Sequence, residues 1–98
     1  MVKIMKSRYG DFDFTEYPII VYKPAPHYPS LDDVRDTMSK YKALLKNTTG
    51  KFVLVVDSSD MNWLKSEQRE YMAVGFQNLE REFSDRYMMT FFTHKDLF

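Results

Sequence analysis

The chain has 98 residues, of which 44% are hydrophobic and 16% aromatic, so we expect one domain, residues 1–98, with a hydrophobic core. Lysine plus arginine and aspartate plus glutamate are balanced at 14 each, and a nucleic-acid-binding protein normally has a basic excess. There is no cysteine, which excludes disulfides, thiolate catalysis and cysteine-based zinc sites.

The N-terminal stretch "MVKIMKSRYG" has no apolar segment of the signal-peptide kind. The longest apolar run, residues 52–56, is far shorter than the ~20 residues that span a bilayer. No basic amphipathic stripe is present with which the chain would lie on a membrane. We therefore expect a cytoplasmic protein with no membrane insertion and no nucleic-acid partner.

The first elements in chain order are predicted to form an antiparallel hairpin at one side of a sheet. Residues 2–6 alternate in polarity, residues 9–11 are typical of a turn, and residues 12–22 are rich in aromatic and β-branched side chains. Pro18 stands where a strand has to begin or kink. Three of the four prolines lie in residues 23–30, which predicts an irregular loop.

A first helix is predicted to begin after Ser30, which is a good N-cap with Asp33 three residues further on. Its apolar positions recur at helical spacing, and residues 47–50 provide a stop. These positions are Leu31, Val34, Met38, Tyr41 and Leu45.

Residues 52–56 show no alternation, which is typical of a parallel strand buried on both faces. A second helix is predicted over residues 64–84, with its apolar stripe at Met72, Phe76, Leu79 and Phe83. Residues 86–94 read as a last strand that is apolar on both faces. The predicted fold is a small mixed α/β sheet in the order ββαβαβ, with right-handed helical crossovers between parallel core strands.

Ligands of such sheets bind at the carboxyl ends of the parallel strands, where Asp57 and Asp60 follow the central strand. A phosphoacceptor aspartate of the receiver type needs several carboxylates around a magnesium ion and a later lysine. No acidic pair follows the first parallel strand, and Lys95 is a weak substitute for the lysine. We therefore expect no metal or other cofactor at Asp57.

Hydrolytic chemistry is also disfavoured by the sequence. His27, His94 and several serines are present, but no G-x-S-x-G elbow, glycine-rich phosphate loop or H-E-x-x-H motif occurs. We expect the two histidines to be surface or loop residues. The sequence therefore predicts a protein without enzymatic activity.

A third interpretation rests on a resemblance. The succession "YPIIVYK", a proline-bearing loop, "SLDDVRDTMSKYKALLKN", "KFVLVVDSSDMNWLKSEQREYM" and "YMMTFF" resembles the STAS domain, in its bacterial anti-sigma-factor-antagonist-like branch. The likeness covers residues 12–93 and is one of pattern and order. It implies a regulatory, non-enzymatic domain, related in architecture to the CRAL-TRIO group, that binds a protein partner at the loop and helix start after the central strand.

The chain departs from that family at the helix start. Phosphorylated members carry D-S-S-G there, whereas this chain has "KSEQ", with Ser66 at the first serine and Glu67 at the phosphate-accepting one. A glutamate carries a permanent charge that suits a helix N-terminus. We therefore interpret Glu67 as a favourable first-turn residue and do not expect switching by a kinase.

The partner-binding surface is predicted to be a junction after the central strand, with Trp63 packed beneath the helix and Asp60, Asn62, Lys65 and Ser66 at its rim. The full predicted set is Asp57, Ser58, Ser59, Asp60, Asn62, Trp63, Lys65, Ser66 and Glu67. The alternative is a small-molecule or lipid carrier, since seven methionines and the aromatic residues are able to line an apolar cavity.

The family resembled continues beyond the last strand with another helix, strand and terminal helix, whereas this sequence ends at "HKDLF". Apolar surface on residues 86–98 is then expected to need another cover. The sequence therefore predicts a homodimer or higher oligomer through residues 86–98, formed by edge pairing or by exchange of the C-terminal segment.

Overall fold

Five strands form one mixed sheet in the order of the sequence in this computed structural model, which describes residues 3–57 and 66–93. The strands β1 and β2 and the strands β2 and β3 pair antiparallel, whereas β3–β4 and β4–β5 pair parallel. The elements are β1 (Ile4–Ser7), β2 (Gly10–Asp13), β3 (Ile19–Lys23), α1 (Leu31–Lys46), β4 (Phe52–Asp57), α2 (Ser66–Glu82) and β5 (Tyr87–Thr93).

The predicted order ββαβαβ is wrong by one strand, because residues 12–22 form two strands and not one. A turn interrupts them: the Asp13 carboxylate accepts from the Thr15 backbone N–H at 3.0 Å, and the Ile19 N–H donates to the Glu16 carbonyl at 3.0 Å. Pro18, which has no N–H to give to a ladder, ends this turn. The observed order is therefore βββαβαβ, with β3 beginning directly after Pro18.

Helix α1 begins as the sequence predicts. The Ser30 side chain accepts from the Asp33 N–H at 3.1 Å, and the Asp33 carboxylate accepts from the Ser30 N–H at 3.0 Å, which completes a capping box. The helix ends at Asn47, whose N–H donates to carbonyls of the last turn. Of the predicted apolar stripe, Leu31 is half-buried and the other members are buried.

Both helices pack on the same face of the sheet. The crossovers β3–α1–β4 and β4–α2–β5 step across the sheet in the same direction, and crossovers of one hand then place their helices on one side. At the contact between them, a Cβ added to Gly75 of α2 would lie 2.9 Å from the Met38 side chain of α1, so the helices approach closely. The shared core contains Phe12, Ile20, Tyr22, Val34, Met38, Tyr41, Leu44, Leu45, Phe52, Leu54, Val56, Met72 and Leu79.

The prediction that β4 is the central parallel strand is confirmed, since it lies between β3 and β5. The prediction that it is buried on both faces is wrong. Phe52, Leu54 and Val56 are buried beneath the helices, but Val53 and Val55 on the opposite face are only half-buried. None of the described elements covers that second face.

None of the described helices is long and apolar enough to cross a membrane.

Candidate functional site

The predicted site begins at Asp57, the last residue of β4. Asp57 pairs with Thr93 of β5, and it follows the Tyr22–Val56 pair of the β3–β4 ladder by one residue, level with Lys23. The carboxyl ends of the three parallel strands therefore meet at one edge of the sheet, as the sequence predicts for Asp57 and the loop after β3. Asp57 is half-buried there.

The remaining members of the predicted set fall mostly outside the described residues. Ser66 and Glu67 lie in the first turn of α2, where the backbone is helical and the side chains are not described. The residues outside are Ser58, Ser59, Asp60, Asn62, Trp63 and Lys65. The packing predicted for Trp63 and the rim positions of its neighbours therefore stay predictions.

A groove of about 370 Å³ opens at the same edge, between α2 and the sheet. Its floor is a row of three paired residues on neighbouring strands, Tyr22, Val56 and Phe92. Its lining also includes Leu54, Met72, Ala73, Phe76, Gln77, Glu80 and Thr90. We call this site the α2 groove.

Packing between the helices explains why the α2 groove is open. Helix α2 approaches α1 closely at Gly75 and reaches β5 through the Glu80–Thr90 hydrogen bond, but it leaves the carboxyl end of β5 uncovered. Phe92, which would face a helix placed over β5, is 70% exposed as a result. An exposed aromatic ring beside apolar walls forms a surface that favours an apolar group from another molecule.

Two polar residues of the α2 groove, Glu80 on α2 and Thr90 on β5, are hydrogen bonded to each other. The Thr90 hydroxyl donates to the Glu80 carboxylate at 3.3 Å and shares a second hydrogen bond with the Tyr87 hydroxyl at 2.6 Å. Burial raises the pKa of the Tyr87 hydroxyl. Glu80, Thr90 and Gln77 are therefore polar residues in a mostly apolar lining.

His27, the histidine considered above for hydrolytic chemistry, lies in the loop before α1. Its Nε2 atom is 3.8 Å from the Asp33 carboxylate, and its ring meets the Tyr9 ring edge-on at 5.6 Å. Asp33 also caps the helix, so His27 lies beside the start of α1. His27 is exposed, as expected.

The sequence predicts that Asp57 lacks the companion carboxylates that a magnesium site needs. Within residues 3–57 and 66–93, no group of three or more histidine, aspartate or glutamate side chains is placed to hold a metal ion. Asp57 has Lys23 and Thr93 level with it on the neighbouring strands.

Sequence reasoning did not locate the α2 groove, although it named Met72 and Phe76 in the apolar stripe of the second helix. The signals were present in two places: small residues at Ala73 and Gly75 in the middle of a helix, and a last strand that is apolar on both faces. Together they indicate that α2 packs closely against α1 and leaves part of β5 uncovered.

Comparison with known proteins gave no further identification: no protein-family model, no curated protein and no solved structure matches the chain.

Proposed function

We propose that the chain is a non-enzymatic, cytoplasmic regulatory domain of STAS type that binds a protein partner through the loop and helix start after β4. The observation that supports this proposal is the α2 groove, which opens at the same edge of the sheet as Asp57 and the first turn of α2. Asp57 stands at this edge on the opposite face of the sheet, after Val53 and Val55. Partners of α/β sheets bind at this edge, and the energy of such contacts is concentrated in apolar side chains that enter pockets.

The α2 groove adds an apolar contact site to a predicted partner surface whose residues are polar. Residues 57–60 and 65–67 are acidic, hydroxyl-bearing or basic, and polar groups at a rim fix orientation and specificity more than affinity. Phe92, Val56 and Met72 provide the apolar part. A partner with one exposed apolar side chain beside a polar segment would therefore match this edge.

Site-specific photocrosslinking in cells of the source organism tests the proposal. The photoreactive residue is placed at Gln77, which lines the groove, and in the matched control at Lys40, which is exposed on α1. We expect a discrete adduct with one protein from Gln77 only, and its loss when Ala73→Trp fills the groove. Adducts that are equal at the two positions, or that Ala73→Trp leaves unchanged, would contradict it.

The second candidate function is a carrier of a small apolar molecule, and the lining of the α2 groove favours it. Its volume lies at the lower end of the range for ligand pockets, and its walls are mostly apolar with few polar groups. Native mass spectrometry of freshly purified protein separates the two candidates. A bound small molecule that is lost in Ala73→Trp supports the carrier, whereas the bare mass of the chain supports the protein-binding domain.

A further inference from the structure

The face of the sheet opposite the helices carries a contiguous apolar surface. Its members lie on the three parallel strands, and we call them the open face: Ile19, Val21, Val53, Val55, Met89 and Phe91. The ladder places Ile19, Val53 and Met89 in one row and Val21, Val55 and Phe91 in the next. Phe91 is 51% exposed, Met89 47% and Ile19 45%.

The open face ends where the strands become antiparallel. On β1 and β2 the same side of the sheet carries Lys6, Asp11 and Asp13, and the Lys6 ammonium lies 3.7 Å from the Asp11 carboxylate. Ile4 is also on this side, on the outermost strand, where Asp13 separates it from the open face. Antiparallel strands commonly present one polar face to water, whereas parallel strands are usually covered on both faces. The polar part of this face therefore suits water, and the apolar part suits burial.

The residues that the structure describes offer no cover for the open face, since both helices pack on the other side. Another strand that pairs with the outer edge of β5 would extend the sheet sideways and would leave Val53 and Val55 uncovered. Cover has to come from something flat that lies across β3, β4 and β5. A second sheet, at the ~10 Å spacing of packed sheets, has that shape.

We propose that a second copy of this chain packs on the open face, so that two sheets lie face to face around a two-fold axis parallel to β4. Such an axis places β3 of one copy over β5 of the other. Val21 then lies over Phe91 of the second copy, and Ile19 over Met89. The open face is thus self-complementary, because small branched side chains meet large ones while Val53 and Val55 lie near the axis.

The charges on this side of the sheet lie at the ends of the open face, and none of its six members is charged. Lys23 and Asp57 come two residues after Val21 and Val55, and Asp13 pairs with Val21 on the neighbouring strand. The axis sets the two Asp57 carboxylates opposite each other at the end of the contact, each level with a Lys23 of its own copy. The open face has six residues on each copy, fewer than the ~20–30 residues per partner of a standard interface. We therefore expect a dimer that dissociates at micromolar concentrations. This inference does not rest on the α2 groove, which lies on the other face of the sheet, although Asp57 of the predicted partner site stands at the end of the open face.

Neighbouring residues of β5 supply the test. Phe91→Glu places a charge on the open face, and the matched control Phe92→Glu places it on the opposite face, at a residue that is also exposed. Sedimentation velocity across a micromolar-to-millimolar series should show a monomer–dimer equilibrium for the wild type and for Phe92→Glu. For Phe91→Glu we expect at least a tenfold weaker association, with an unchanged far-ultraviolet circular dichroism spectrum.

Crosslinking gives a second readout, because the chain has no cysteine of its own. Val55→Cys should give a covalent dimer with a short bismaleimide, whereas Lys40→Cys, on the outer side of α1, should not. The proposal is overturned if the wild type stays monomeric over the whole concentration series. The reactivity of the Val55→Cys thiol then shows why: fast reaction with a thiol reagent means that the open face is exposed to water, and slow reaction means that the protein's own chain covers it. A dimer that Phe91→Glu leaves intact also overturns it and favours pairing through the edge of β5.

Discussion

The Arg86 guanidinium donates a hydrogen bond to the Leu45 carbonyl at 2.6 Å and so joins the start of β5 to the last turn of α1. The same group donates to the Gly50 carbonyl at 2.8 Å and to the hydroxyls of Tyr17 and Thr48, each at 3.0 Å. Carbonyls at a helix C-terminus carry partial negative charge, which suits a cation. One side chain thus connects α1, the turn before β3 and the loop before β4.

Substitution of Arg86 should lower stability because several acceptors lose their donor together. We expect Arg86→Met to reduce the free energy of unfolding by about 2–3 kcal/mol, and Arg86→Lys by less, since an ammonium keeps the charge but not the planar fork. Chemical denaturation measures both. The control is Arg35→Met, whose guanidinium is exposed on α1, and a loss as large as that of Arg86→Met would contradict the special role of Arg86.

Thr37 provides a second prediction, since its buried hydroxyl satisfies backbone groups of two elements. It accepts from the Tyr9 N–H at 3.0 Å and donates to the Asp33 carbonyl at 3.0 Å. Thr37→Val keeps the shape but leaves the buried Tyr9 N–H without this acceptor, so we expect a loss of about 1–3 kcal/mol. Thr37→Ser retains the hydroxyl and should cost about 1 kcal/mol, for one methyl group. Equal losses in the two variants would show that packing, and not the hydrogen bonds of the hydroxyl, determines the contribution of Thr37 to the free energy of unfolding.

Two glycines with positive φ should respond differently to alanine. At Gly10, where φ is +118°, a Cβ would lie 2.3 Å from the Lys23 carbonyl oxygen, so the backbone has to move. We expect Gly10→Ala to cost about 3 kcal/mol or more, from steric overlap and backbone strain together. At Gly50, where φ is +82°, no atom lies within 4 Å of the added Cβ, and strain alone should cost about 1–2 kcal/mol. Thermal unfolding of both variants checks the order.

Two of the buried tyrosine hydroxyls predict opposite effects of removing an oxygen. The Tyr22 hydroxyl donates to the Tyr9 carbonyl, whereas the buried Tyr41 hydroxyl has no hydrogen-bond partner among the described residues. Tyr22→Phe should therefore lose about 1 kcal/mol, and Tyr41→Phe should be neutral or slightly stabilising. Equilibrium denaturation decides between these signs, and a loss for Tyr41→Phe equal to that for Tyr22→Phe would indicate a partner, such as a water molecule, for the Tyr41 hydroxyl.

Local chemistry made much of this fold predictable. The capping pair Ser30 and Asp33 fixed the start of α1, and the unbroken apolar run of residues 52–56 identified the central parallel strand. Pro18 marked the beginning of β3. In each case the signal lies within a few residues of the feature that it predicts, so no knowledge of the rest of the molecule was needed.

The features missed depend on how distant elements are arranged. Apolar residues on both faces of β4 indicate that both faces suit burial, but only the direction of the two crossovers decides that the helices share one face. The α2 groove likewise follows from the lean of α2 towards Met38, a contact between positions far apart in the sequence. Of the predicted partner site, Asp57 is placed at the expected edge, and the roles of its neighbours along the chain stay predictions.

Stability at alkaline pH follows from the buried tyrosines. Burial is the main cause that raises the pKa of Tyr22 and Tyr41 above the ordinary value of 10.0, so folding favours their neutral forms. This contribution is fully present below pH 10 and is lost as the pH rises further, because the unfolded chain then releases protons that the folded chain retains. Each such group should lower the free energy of unfolding by about 1.4 kcal/mol per pH unit above 10.

Urea denaturation from pH 9 upward measures how steeply the free energy of unfolding falls with pH. Tyr41→Phe should make this slope shallower, whereas Tyr28→Phe, at a residue that is 63% exposed, should leave it as in the wild type. A slope equal in all three proteins would mean that Tyr41 ionises as readily in the folded state as in the unfolded chain.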